Sequence, residues 1–189
     1  LTRFLDEGGD LVTFSGGKSL RGPQSSGLIL GRADLVEACR QNDGPHMGVG
    51  RPMKVGKEEI VALTKAVELY VTKDHAAEML VWEGRVQTIL DALSQLPGVQ
   101  ARRQMPEGIG QQIPHACITW NEDELSLTPG EVVTALRGGQ PPIVVQLLVP
   151  ATLPIPRQGP TELRVHPHTL EEGQEAIVAR RLREVLSRS

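Results

Sequence analysis

The sequence predicts an α/β chain in three parts, and three observations lead there. Near the start, two short apolar runs, Asp10 to Phe14 and Gly27 to Leu30, flank a glycine-rich turn. From Lys57 to Leu96, apolar residues recur at helical spacing until Pro97-Gly98 stops them. Beyond that stop, strand-like and helix-like segments mix to the end of the chain, as in a small α+β domain. The division that follows is 1–56, 57–97 and 98–189, in a chain of 189 residues, a length that supports one sizeable core or one and a half small ones.

In chain order, Asp10 to Phe14 reads as a strand, Ser15 to Gly22 as a turn, and Gly27 to Leu30 as a second, buried strand ending at Gly31. Asp34 to Gln41 is a short helix begun near Ala33, and the Gly/Pro-rich stretch from Asp43 to Pro52 is a loop. Two helical runs follow. The first carries Ile60, Val61, Leu63, Ala66, Val67 and Tyr70; the second carries Met79, Trp82, Val86, Ile89, Leu90, Leu93 and Leu96. Met79 and Trp82 are read as core packing. Val99 to Gln104, His115 to Trp120, Ile143 to Val149 and Leu163 to His166 are strands. Thr128-Pro129-Gly130-Glu131 opens one helix with a capping box and proline at the first position. Thr169-Leu170-Glu171-Glu172 is a second box, opening a terminal helix with Ile177, Val178, Leu182, Val185 and Leu186 on one face.

Composition points to an ordinary soluble cytoplasmic protein. The net charge is −3 with both signs interspersed, so no basic footprint for nucleic acid stands out. Aromatic content of 3% is too low for a base-stacking platform. Cys39 and Cys117 lie far apart and give neither a disulfide framework nor a metal spacing. No segment has the apolar length of a membrane span, no signal peptide is expected, and no internal repeat is read.

Chemistry concentrates at Lys18. It follows a strand, in the position where open α/β sheets place ligands. Ser15 can offer a hydroxyl to the same place, and Gly16 and Gly17 present backbone without a Cβ. The set suits an anionic ligand bearing a carbonyl. Gly17-Lys18-Ser19 also looks like the end of the nucleotide-binding pattern G-x-x-x-x-G-K-S/T, but that pattern requires glycine where Val12 stands. Its lysine must also open a helix, which Gly22-Pro23 prevents.

The pattern Phe14-Ser15-Gly16-Gly17-Lys18, then Gly22-Pro23-Gln24, Gly27 and Gly31, resembles fold type I pyridoxal-phosphate enzymes. The likeness is to the group of selenocysteine synthase (L-seryl-tRNA(Sec) selenium transferase) and D-glucosaminate-6-phosphate ammonia-lyase. The resemblance implies that Lys18 forms the covalent imine link to pyridoxal 5'-phosphate, and that Ser15 bonds its phosphate beside Gly16, Gly17 and Gly22. A lysine amine attacking the cofactor aldehyde is the matching chemistry. A second likeness lies in Gly50-Arg51-Pro52-Met53-Lys54-Val55-Gly56-Lys57, where two basic residues of the family bind an anionic leaving group or selenium donor. Arg51 and Lys54 occupy those positions. An arginine fork holds an oxyanion in two places, whereas the lysine that stands where the family has its second arginine gives a point charge. His46 is a loop histidine that could join them.

The resemblance covers nearly the whole chain but only the C-terminal half of the family architecture: the end of the large domain, linking helices, and the small domain. The phosphate loop, the ring-stacking residue and the aspartate for the pyridine nitrogen are expected upstream of it. In the small domain, Arg164 is a candidate for a substrate carboxylate, or else a solvent-facing arginine on an edge strand. His166-Pro167-His168 looks like a metal pair, yet no third ligand is near in sequence, so a structural role is expected and no metal.

By resemblance, then, the function is that of a lyase or transferase acting on a small-molecule amino-group substrate by α-proton removal and β-elimination or replacement. The expected assembly is a homo-oligomer, a dimer or higher, with no tRNA partner and no membrane. This partial chain alone is expected to be inactive. The alternative is a non-catalytic truncated chain or pseudo-enzyme serving at most as a dimerisation module.

Overall fold

The computed structural model describes residues 1–106, 112–148 and 161–187. By packing, the chain falls into two compact units, Leu1–Lys73 and Asp74–Ser189.

The first unit opens with a single helical turn, α1 (Arg3–Asp6), which no sequence pattern announced. Strands β1 (Leu11–Ser15) and β2 (Gly27–Gly31) pair antiparallel, with Leu11 opposite Gly31 and Ser15 opposite Gly27. They form a two-stranded sheet of their own. The expectation of a buried second strand is corrected here: exposed and half-buried residues alternate at its start, and Ile29 is 42% exposed. A strand is buried throughout only when both faces are covered. Helix α2 (Ala33–Asn42) follows as expected, its entry held by Arg32, which pairs with Asp10 at 3.1 Å and Asp34 at 2.7 Å. After a loop, α3 (Lys57–Thr72) buries only Leu63 and Ala66.

The second unit starts with α4 (His75–Leu93), capped by Asp74, whose carboxylate accepts from the Ala77 amide at 2.9 Å. The chain continues through β3 (Val99–Gln104), β4 (His115–Trp120), α5 (Glu122–Leu125), α6 (Pro129–Arg137), β5 (Gln146–Leu148), β6 (Glu162–Val165) and α7 (Gln174–Leu186). The four strands form one antiparallel sheet in the order β3-β4-β6-β5. Strand alternation sends Ala116 and Ile118 of β4, with Leu163 and Val165 of β6, into the core among Val86 and Ile89 of α4, Leu136 of α6, and Leu182 of α7. Arg85 of α4 reaches across this unit: its Nη1 donates to the carbonyls of Pro167 at 3.0 Å and Leu170 at 2.6 Å.

Three strand and cap expectations are corrected in this unit. The strand expected from Ile143 covers only Gln146–Leu148, because the Ile143 amide donates to the Leu136 carbonyl at the end of α6, 3.0 Å away, rather than to a ladder. Val149 and the run Pro150 to Pro160 lie outside the described residues. Strand β6 ends at Val165, since His166 leads into a 3-10 turn at Pro167–Thr169. Thr169 caps no helix: its hydroxyl donates to the His166 carbonyl at 2.8 Å, and α7 starts after Gly173, which sits at φ 83°. The Thr128–Glu131 capping box forms as expected. Among the described residues, no helix is long and apolar enough to cross a membrane.

Candidate functional site

In the first unit, Ser15, Gly16, Gly17, Lys18 and Gly22 share one closed turn. The Gly16 amide donates to the Ser26 carbonyl at 2.9 Å, the Gly22 amide to the Gly16 carbonyl at 2.8 Å, and the Arg21 amide to the Lys18 carbonyl at 2.9 Å. Leu20, 5% exposed, anchors the turn from below. Lys18 and Ser15 are exposed. The glycines are demanded by this packing: a Cβ on Gly16 would lie 2.0 Å from the Ser26 hydroxyl, and one on Gly17 would lie 2.7 Å from the Gln24 Cα. Gln24 closes the loop further, its amide donating to the Gly17 carbonyl at 3.0 Å. Leu63 of α3 reaches the same turn, 3.0 Å from where a Cβ on Gly16 or Gly22 would sit. The lysine is therefore displayed on a closed, glycine-built turn.

Arg51 and Lys54 meet around Gly44. A Cβ there would lie 3.3 Å from Arg51 Nη1 and 3.2 Å from Lys54 Cγ. Arg51 is half-buried, and its Nη1 is shielded from solvent with no hydrogen-bond partner. Backbone bonds from Gly50 to Asn42 (2.7 Å) and from Arg51 to Gly48 (3.1 Å) shape the loop that carries them. His46 on the same loop is exposed.

Arg164 belongs to the second unit, and its surroundings overturn one sequence alternative. Strand β6 lies between β4 and β5, and the Arg164 side chain is 10% exposed, so it is not a solvent-facing arginine on an edge strand. Register aligns Arg102, Cys117, Arg164 and Gln146 in one row across all four strands, on the face opposite the core. Arg164 Nε donates to Glu162 at 2.6 Å, and Arg102 pairs with the other Glu162 oxygen. Burial raises the Glu162 pKa, but the hydrogen bond and charge of Arg164, with help from Cys117 and Arg102, outweigh it and hold the carboxyl below its ordinary value. Burial, followed by the Glu162 charge, pushes the Cys117 thiol up to about 11, so this cysteine stays protonated and is no nucleophile.

Beside this row, the His166 ring lies 4.3 Å from that of His115 and 5.7 Å from that of His168. Burial first, then the neighbouring histidines, pushes His166 down to about 4. A third histidine thus approaches the pair seen in sequence, yet among the described residues no group of three or more His, Cys, Asp or Glu side chains is placed to hold a metal ion. Sequence reasoning missed Glu162, Gln146 and His115. The every-second-residue polar pattern Glu162, Arg164, His166 was the available signal.

The mixed α/β architecture defines the class, because it aligns with part of a solved D-glucosaminate-6-phosphate ammonia-lyase structure. That alignment has a TM-score of 0.62 and 30% identity, and covers 97% of this chain and 45% of the other. Residues 1–104 match the family model described as SelA, L-seryl-tRNA selenium transferase, and the chain belongs to that family. It is 32% identical over 185 residues to D-glucosaminate-6-phosphate ammonia lyase of Salmonella typhimurium, covering 98% of this chain and 46% of the relative. It is 33% identical over 189 residues to 5'-C-glycyluridine monooxygenase-decarboxylase of a Streptomyces species, covering 98% of this chain and 43% of the relative. The chain thus spans less than half the length of these relatives and corresponds to their C-terminal portion.

Proposed function

We propose that this chain is the C-terminal part of a fold type I pyridoxal-phosphate-dependent lyase or transferase acting on a small amino-group substrate in the cytoplasm. The observation that carries the reading is the exposed Lys18 on its closed glycine turn, within the residues that match the selenium-transferase family. In this reading, 1–56 end the cofactor-binding domain, 57–97 link, and 98–189 form the small domain, in a homo-oligomer that needs no tRNA.

The residues present fit one end of the cofactor. Lys18 supplies an amine able to condense with its aldehyde, and Ser15 an exposed hydroxyl for its phosphate. Bound there, the cofactor would supply an electron sink for a carbanion next to the substrate nitrogen. Lys18 Nζ, once free, takes the α-proton of the substrate as a general base. Arg51 and Lys54 hold the anionic group leaving the β-carbon: Arg51 brings a guanidinium fork and Lys54 a point charge. Arg164 holds a substrate carboxylate. A nucleophile then adds at the β-carbon to complete replacement, or, in the lyase outcome, water releases the nitrogen as ammonia.

The test is to mix the chain with pyridoxal phosphate, reduce with borohydride, and map pyridoxyl adducts by peptide mass spectrometry. An adduct confined to Lys18 and absent from Lys18→Ala is expected. Scattered or absent labelling would overturn the reading for this chain and favour a non-catalytic dimerisation module.

A further inference from the structure

The four-stranded sheet of the C-terminal unit has two edges, β3 and β5, and they are protected unequally. Strand β3 carries Arg102 and Arg103, whose side chains are 56% and 43% exposed, and charge on an edge strand discourages a further strand. On the β5 side, the chain from Gly138 to Leu148 has no Asp, Glu, Lys or Arg. The residues leading into β5, Ile143, Val144 and Val145, are all β-branched, the side chains that favour strands. Val144 is 77% exposed. Among the described residues, the Val144 and Val145 amides have no backbone acceptor, and β5 pairs with no strand but β6. Such an edge is a template for another strand. Beside it opens a cavity of about 270 Å³, whose lining includes Ile143, Val145, Leu170 and Val178. Ile143, Val145 and Leu170 pack on the core yet stay half-buried, so the apolar rim is uncovered at this edge.

We propose that this edge pairs antiparallel with the same edge of a second copy, joining the two four-stranded sheets into one. The proposal names a surface for the homo-oligomer of the reading above and rests on that part of it, but not on the cofactor. Charge selects the partner: an uncharged strand meets its own copy without repulsion, whereas a charged peptide would leave its charges unmatched along 143–148. Symmetry limits the assembly. Pairing β5 with the β3 edge of another copy would run on as an open fibre, and Arg102 and Arg103 stand against it, so β5 with β5 closes at two. An incoming strand turns every second side chain toward the cavity, and the partner's apolar side chains there complete the rim. Pro141 and Pro142, which have no amide to donate, end the pairing run.

The experiment is sedimentation equilibrium of the full chain over a concentration series, with hydrogen exchange followed at 144–148 and the fold of each variant checked by circular dichroism. The native chain should reach twice the mass of Val144→Lys, because charge placed on both edges weakens the pairing at least about tenfold. At so exposed a position the substitution leaves the fold intact. Val61→Lys, at a 70% exposed position of α3, should keep the native mass. Exchange within 144–148 should slow as the native chain is concentrated, and should not do so in Val144→Lys. A native chain that stays monomeric would overturn the interface together with the homo-oligomer. A homo-oligomer whose mass Val144→Lys leaves unchanged, equal loss in Val61→Lys, or exchange at 144–148 independent of concentration would overturn the interface alone. Labelling of Lys18 is read independently, so failure of this edge and failure of the cofactor reading are told apart.

Discussion

In the C-terminal unit Ile89, Ile118, Leu136, Leu163 and Leu182 are wholly shielded from solvent, whereas among the described apolar residues of the N-terminal unit only Leu20, Leu63 and Ala66 are buried. The N-terminal unit instead exposes Met47 at 89%, Val49 at 82% and Met53 at 72%, on the loop that carries Arg51. Hydrophobic burial is the main favourable contribution to folding, so the two units hold their shapes differently. One is built on a core, with the buried polar side chains His115, Glu162 and Arg164 on one sheet face. The other is held by backbone hydrogen bonds and close glycine contacts around a thin core. The residues with the clearest chemistry lie on the thin one.

The contrast can be broken or sharpened by substitution. The largest effect is expected at Glu162: Glu162→Leu leaves the Arg164 guanidinium buried without its carboxylate and should cost about 3–5 kcal/mol in urea unfolding of the C-terminal unit. Ile89→Ala, at 0% exposure, should cost about 2–5 kcal/mol, and Leu63→Ala, at 8%, no more than about 2. Equal costs at the two sites would break the contrast.

Next comes acidity. The folded state keeps His166 neutral down to about 4, while the unfolded chain takes up the proton near 6.5. The associated stability is therefore complete above pH 6.5 and lost as pH falls toward 4, by about 1–3 kcal/mol. Urea midpoints at pH 7 and pH 4.5 should separate the native chain from His166→Phe, and identical pH slopes would remove His166 as the cause. The smallest effect is expected on the turn itself, where Lys18→Ala, at an exposed position, should change stability by no more than about 0.5 kcal/mol. Gly17→Ala, by pressing on the Gln24 backbone, should disturb the turn and lower labelling of Lys18 while circular dichroism of the C-terminal unit stays unchanged.

Local signals made much of this legible. Val99–Gln104 and His115–Trp120 were read to the residue because an apolar or alternating run ends cleanly in turn residues. Thr128 was read as a cap because its glutamate stands three residues on, and the Lys18 turn because its glycines come in an ordered series. What failed was settled at a distance. Ile143 lost its place in a strand to the end of α6, and the Thr169 box lost to the turn that Pro167 begins. The row Arg102, Cys117, Arg164, Gln146 depends on strand register between segments tens of residues apart, which no local pattern encodes.

The Arg85 side chain joins segments more than 80 residues apart by spending one nitrogen on two carbonyls, those of Pro167 and Leu170. Losing α4 would strip both acceptors of their donor at once, inside a half-buried site where water replaces them poorly. The slow-exchanging amides of α4 and those flanking the Pro167–Thr169 turn should therefore become accessible to deuterium in a single opening event, and Arg85→Met should split that event in two.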